Sequence, residues 1–399
     1  MRILKFVGAF IGTLVLVFFL AFGFNLDALY TLYENSGDLQ EGQQWVSKTT
    51  SLKGLTEYIG EQPAHVSVVS RSVTNPDTII AYGADKPRTM GTLSNFFLIT
   101  TFARKVENGQ INPKELVSLD EVDRYQLPYI DASHHQDAKS ALSNRGVINA
   151  ENKIPLHELV RVAIIYNDLA ASDFLYDKLN RDAITKTYQL LDVQSTDQLL
   201  PFAGLYITLH PKLNNQDFET HFKQLKQLSD STFRAQVFTN QQKYLNDDQF
   251  HQQVQKVFDE QQGLGVGFVE RRNILSLFPK STAAELSKLM VQLEQDSLIS
   301  AAVSERVKNI MDWPYEQKSL NSDFKSYGAI YDNRLGLLNG IDYGASVYSE
   351  EPFGQAVFFD SLQVAFWFHM SSNLMHQDYQ QRLIWDPALR TSTLQEIAK

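Results

Sequence analysis

Residues 92–106 read as a helix that is apolar on most faces. Leu93, Phe96, Phe97, Leu98, Ile99 and Phe102 leave it little surface to offer to water. A helix of this kind belongs in the middle of a domain, covered from every side. Gly109 stands where such a helix stops. The rest of the chain must therefore supply its cover. Upstream, residues 65–72 are small and β-branched and read as a strand. Asn75-Pro76-Asp77 is a turn, and residues 78–82 return as a second strand. Downstream, Pro155 opens a helix with Leu156, Leu159, Val160, Ala163 and Ile164 on its inner face. Residues 211–262 are rich in Gln, Asn and charge, with apolar residues at helical spacing. Residues 281–293 and 301–311 are two more helices. Beyond Lys325, residues 345–348, 356–359 and 363–370 read as strands. Strands from both chain ends, with a helical block between them, predict an α+β fold. It is a two-lobed α/β design whose antiparallel sheet is built from both ends around an inserted helical lobe. No internal repeat of 20–50 residues is visible.

Composition narrows the function. Hydrophobic residues make up 43% and charged residues 21%, which is globular and excludes wholesale disorder. The net charge of −10 leaves no basic stripe for phosphates, so nucleic acid is not an expected partner. The absence of Cys removes disulfides, Cys-ligated zinc, iron–sulfur clusters and a thiol nucleophile together. Residues 6–24 form one apolar run that, as a helix, reaches roughly 28 Å, about the thickness of a hydrocarbon core. Arg2 and Lys5 precede it and Asp27 is the first acid after it. The positive-inside rule then predicts a single-pass transmembrane helix in the cytoplasmic (inner) membrane, with the bulk of the chain periplasmic. A cleaved signal peptide is the alternative, although no clear A-x-A site follows the run. The expected organisation is an anchor or signal segment over 1–28, a juxtamembrane helix or stalk over 29–60, and one domain over 61–399 with a helical insertion at about 211–275.

The strand pair leads into Thr89-Met90-Gly91-Thr92-Leu93-Ser94-Asn95-Phe96-Phe97, and residues 154–179 carry Tyr166-Asn167-Asp168-Leu169. Leu200-Pro201-Phe202 follows, then the helix pair at 281–311, then Lys325-Ser326-Tyr327-Gly328. In order and spacing this chain resembles the class A β-lactamases and the related penicillin-recognising serine hydrolases, over roughly residues 61–375. The resemblance implies a hydroxyl nucleophile at Thr92, where the family has the Ser of S-x-x-K, and places Asn95 at the Lys position. Asn167 and Asp168 fall on S-D-N, of which only the Asp is kept. Lys325, Ser326 and Gly328 fall on K-[ST]-G and imply a ligand-binding strand, with Tyr327 displacing the glycine by one place or the strand bulging there. The omega-loop glutamate of class A enzymes has no clear counterpart. Asp192 and Asp197 lie in that region. The resemblance calls for no cofactor and no metal. A positioned acid or base is worth about 10²–10⁴ in rate. An amide at Asn95 accepts no proton near neutral pH, so impaired chemistry is expected.

Plainer readings stand beside these. Thr92 can be a helix N-cap and Asp168 a turn residue. Ser94 is a rival nucleophile facing another way. Asn95 and Asn167 can bond one another across the cleft, and Lys325 can be an edge-strand charge. His134 and His135, with Asp131 and Asp137, resemble a metal cluster on paper but read as a loop. His157-Glu158 lacks the second His of H-E-x-x-H, and residues 263–267 read as a hinge rather than a nucleotide loop. The expected function is a membrane-tethered β-lactamase-like protein that binds a cell-envelope peptide, a β-lactam-like small molecule or a protein partner in the former active-site cleft. The alternatives are an active hydrolase acting on an amide or ester through Thr92, and an assembly factor working through residues 211–262.

Overall fold

The structure is a computed structural model that describes residues 36–312, 323–349 and 351–399. The apolar run at 6–24 lies outside the described residues. Among those described, no helix is long and apolar enough to cross a membrane.

Nine strands are present among the described residues: β1 (Val66–Ser72), β2 (Ile79–Tyr82), β3 (Arg88–Thr89), β4 (Leu116–Ser118), β5 (Lys153–Pro155), β6 (Lys280–Ser281), β7 (Phe324–Asp332), β8 (Asn339–Ser346) and β9 (Pro352–Phe359). Five of them form the main sheet in the order β2-β1-β9-β8-β7, antiparallel throughout. Both chain ends thus build one sheet, as the pattern of elements predicts. Side chains alternate between its faces. Val69, Ile341, Ala356 and Phe358 join the core on the side of the central helix. Val66, Val68, Val357 and Phe359 face a second core made by helices from the two ends of the chain.

That second core corrects one expectation. Of the juxtamembrane helix or stalk read over 29–60, residues 36–61 are helical but pack into the domain. They form helices Ser36–Lys48 and Leu52–Glu61, which pack against the sheet and the C-terminal helices. Trp45 stands edge-on to Tyr58 at 4.8 Å, and Tyr58 lies 4.4 Å from Phe366. Residues 363–370 correct another. They are not a strand but most of helix Val364–Ser372. Phe366 and Met370, four apart, face the core while Phe368 stays exposed.

The apolar segment behaves as its composition demands. A 3₁₀ turn, Gly91–Ser94, leads into the central helix Asn95–Glu107, buried from Asn95 to Ala103. Helices Leu156–Ile165, Leu169–Leu179, Arg181–Leu191 and Ala301–Met311 surround it. The block inserted at about 211–275 shares a core with helix Phe202–Leu209 ahead of it, including Phe202, Leu205, Phe233, Val237, Tyr244, Val254 and Phe258. Asp217, Ser229 and Asp247 cap its successive helices, each accepting from a backbone amide of the first turn. Asp173 fixes the helix the block packs on: its two carboxylate oxygens each accept at 2.6 Å, from Phe202 N and Ala203 N at the start of helix Phe202–Leu209. Burial raises the Asp173 carboxyl to about 8 despite those two amides.

Candidate functional site

The turn after β7, the loop at Asn167, and the segment leading into helix Ala132–Asn144 enclose a cleft of about 500 Å³. Asp131, His134, Asn167, Asp332 and Arg334 give it polar walls, and Tyr206 and Trp367 close its apolar sides. Three residues around it, Tyr129 (φ 59°), Asp131 (φ 49°) and Asn167 (φ 52°), hold the left-handed conformation. For residues with a Cβ this costs about 1–2 kcal/mol each, and such strain persists where the surroundings enforce it.

Thr92 lies behind this cleft and does not line it. It is wholly buried, and its hydroxyl has no hydrogen-bond partner in the protein. It caps nothing: the 3₁₀ turn has no side-chain cap. The turn's first free amide is taken by another residue, since Thr92 N donates to Asp332 Oδ2 at 2.7 Å. A carboxylate is at home there, because the exposed amides of a helix start carry partial positive charge. Gly91 makes room for it. Its φ is +56°, and a Cβ at that position would stand 1.7 Å from Asp332 Oδ2. The other Asp332 oxygen accepts from Arg334 N at 2.9 Å, which fixes the turn after β7.

The remaining motif positions are tied into structure. Asn95 is buried, and its amide donates to Ser172 Oγ at 2.9 Å and to Ala163 O at 3.2 Å. The expected bond between Asn95 and Asn167 does not form, because Asn95 points into the helix pair. Asn167 lines the cleft, and its Oδ1 is buried without a partner. Ser94 is buried and donates to Gly91 O. Asp168 is the N-cap of helix Leu169–Leu179, accepting from Ala171 N at 3.1 Å. Its other oxygen bonds His135 Nδ1 at 2.9 Å.

His134 and His135 stand in the first turn of helix Ala132–Asn144, not in a loop. His135 is held from both sides, because its Nε2 meets Asp123 Oδ1 at 2.9 Å. Lys139 Nζ in turn grips both Asp123 oxygens, at 2.9 and 2.7 Å. Burial disfavours the His135 imidazolium, but hydrogen bonds to two carboxylates outweigh it and raise its pKa to about 9. The pair His134-His135 therefore splits, one ring to the cleft and one to a buried ionic chain. Among the described residues no group of three or more His, Asp or Glu is arranged to hold a metal ion.

Arg334 is the most constrained charge in the cleft. Its side chain is 9% exposed, and it donates from Nη2 to Asp131 Oδ2 at 3.1 Å. The guanidinium also lies over the Phe202 ring at 5.4 Å. Burial lowers its pKa, but Tyr206, Asp332 and Asp131 around it outweigh that and hold the cation. Nε and Nη1 are buried without a protein partner.

Lys325, Ser326 and Gly328 are not brought to this end of the molecule. They begin β7, and Asp332 ends it. Seven residues of extended strand, roughly 23 Å, separate Lys325 from the carboxylate beside Thr92. The strand does not bulge at Tyr327, where the ladder with β8 runs in regular register; the shift lies earlier, between Phe324 and Ser326, with exposed Lys325 at the irregularity. Ser326 donates to Glu294 at 3.2 Å, and Gly328 leaves space for the Tyr343 ring. The end of β7 thus brings Asp332 to Thr92 and Arg334 to the cleft. Their only signal in the sequence is a polar Asp332-Asn333-Arg334 step closing an apolar strand.

Comparison with known proteins places this arrangement. The sequence matches the β-lactamase enzyme family over residues 51–374, and the chain belongs to that family. No curated protein matches it. Among solved structures it is similar to a β-lactamase from Sphaerobacter thermophilus, with 10% identity, 83% of this chain and 96% of that one covered, and a TM-score of 0.50. A β-lactamase from Chitinophaga pinensis is similar at 11% identity, covering 86% and 99%, with a TM-score of 0.45. At these identities the likeness is one of fold alone.

Proposed function

We propose that this chain is a membrane-tethered, extracytoplasmic member of its family that binds a cell-envelope ligand in the cleft instead of hydrolysing it. The observation that carries the reading is the Asp332 carboxylate on the Thr92 amide. Acyl transfer needs a reachable hydroxyl, a base to take its proton, and amide donors aimed at the developing oxyanion. Here the hydroxyl is wholly buried, the neighbouring side chain is the Asn95 amide, and the amide best placed for an oxyanion already holds an anion.

The cleft in front keeps its means of recognition. Arg334 and Asn167 line it, and Arg334 Nε and Nη1 and Asn167 Oδ1 lie just behind its walls without a partner, so a small shift of those side chains would present them to a ligand. An anionic group beside an N–H answers both, which is what a peptide with a free terminal carboxylate carries. The test is calorimetric titration of the full chain in nanodiscs with a short cell-wall-type peptide, free or amidated at its C-terminus. The free acid should bind and remain unchanged by mass, amidation should cost at least tenfold, and Arg334→Lys should weaken binding to a similar degree. Equal binding of acid and amide, or cleavage of the peptide, would overturn the reading.

A further inference from the structure

We propose that the mouth of the cleft lies against the membrane surface, with Phe268 and Phe368 resting in the lipid interface, so that the cleft takes its ligand from the bilayer surface. This rests on the membrane-tether reading above, but its observations lie in the folded part of the chain.

The described chain begins at Ser36, and Asp38 fixes where that start sits. Asp38 pairs with Arg272 of helix Phe268–Ile274 and accepts from Val364 N, at 3.1 Å, at the start of helix Val364–Ser372. Each of those helices carries an exposed Phe one turn away. Phe268 stands four residues before Arg272 and is 56% exposed. Phe368 stands four residues after Val364 and is 54% exposed. Residues four apart on a helix are neighbours, about 5–6 Å between Cβ atoms. Both rings therefore flank the point where the chain arrives from its N-terminal side.

The same ground borders the cleft. Trp367, edge-on to Phe368 at 5.1 Å, lines it and donates from its indole to Leu337 O at 3.1 Å. The segment 263–272 runs from one lip to the other. Gly263 lies beside Tyr129, itself 55% exposed and lining the cleft, while Arg271 lines the cleft one residue before Arg272 meets Asp38. Three exposed aromatic side chains thus stand around one opening. Tyr and Trp favour the membrane–water interface, and Phe is among the residues that interfacial helices bury at the headgroup–acyl boundary. The tether reading adds reach: residues 25–35 span at most about 40 Å of extended chain, less than the roughly 50 Å width expected for a domain of this size. The face that carries Ser36 is then the face turned to the bilayer. With a chain charge of −10, apolar contact and not attraction to anionic lipid holds it there.

The absence of cysteine makes the test clean, because one introduced thiol takes one label. Phe268→Cys, Phe368→Cys and Tyr348→Cys are made in the full chain, labelled with a fluorophore and reconstituted in 3:1 phosphatidylethanolamine–phosphatidylglycerol vesicles. Tyr348 is the control. It is 66% exposed and lies just past the far end of β8, away from the cleft. Labels at 268 and 368 should be quenched by a lipid-borne nitroxide at least threefold more than the label at 348, and protected from aqueous iodide. Vesicle flotation separates the two readings. A chain that floats with all three labels equally open to iodide overturns the interfacial mouth and leaves the tether standing. A chain that does not float removes the tether, and the proposal with it.

Discussion

At the residue scale, one carboxylate at the tip of β7 determines what the Thr92 amide can do. Gly91→Ala puts a methyl 1.7 Å from Asp332 Oδ2 and asks a residue with a Cβ to hold φ +56°. It should cost roughly 2 kcal/mol or more, read as a lower urea midpoint with unchanged m. Asp332→Ala leaves a buried amide unpaired and should cost about 1–3 kcal/mol by the same measurement. His135 gives a pH signature. Its folded pKa of about 9 lies above the usual ~6.5 of an unfolded imidazole. Its contribution is therefore complete below about pH 6.5, declines as pH rises, and is gone above about 9. That amounts to an order of 2–3 kcal/mol, carried by Asp123 and Asp168 on its two nitrogens, with Lys139 behind Asp123. Unfolding midpoints from pH 6 to 10 should fall through this window, and His135→Gln should flatten the fall. At this scale the sequence was only partly legible. The resemblance singles out Thr92, Asn95, Asn167 and Asp168, of which only Asn167 lines the cleft. It does not single out Asp332 and Arg334, because their place depends on which end of β7 meets the 3₁₀ turn. The letters Lys325-Ser326 drew attention to the other end.

At the element scale, the helix on which the insertion packs is fixed by a cap contributed from elsewhere in the domain. Asp173 accepts from the first two amides of helix Phe202–Leu209. Asp173→Ala should cost about 1–3 kcal/mol. Hydrogen exchange should show the loss first in residues 202–209, while Asp173→Asn keeps part of the protection. The elements most legible in the sequence were those with one strong period, namely β1, β2, the central helix and the helices at 283–294 and 301–311. Helix Val364–Ser372 was not legible. Val-Ala-Phe-Trp-Phe-His-Met has apolar side chains at nearly every step, so helical and strand spacing fit it equally. Only its packing against helix Ser36–Lys48 decides between them.

At the scale of the whole molecule, the first and last described helices meet. Helices from residues 36–61 and 364–397 share one core over the face of the sheet opposite the central helix. Trp45→Ala in that core should cost about 3–5 kcal/mol, as large-to-small changes in a packed core do, and lower the global unfolding midpoint. The sheet built from both ends was readable from element order alone. The N-terminal helices as part of the fold were not, because polar residues interrupt them and their apolar stripe has meaning only once a partner stands opposite. The chain keeps the family's fold, and we propose that its acyl chemistry is closed off at Thr92. The most direct test of that closure is intact-protein mass spectrometry of the folded chain after incubation with a reactive β-lactam and, separately, a fluorophosphonate, alongside Thr92→Ala. No adduct on either protein is the expected result. A stable adduct on the native chain that disappears in Thr92→Ala would contradict it.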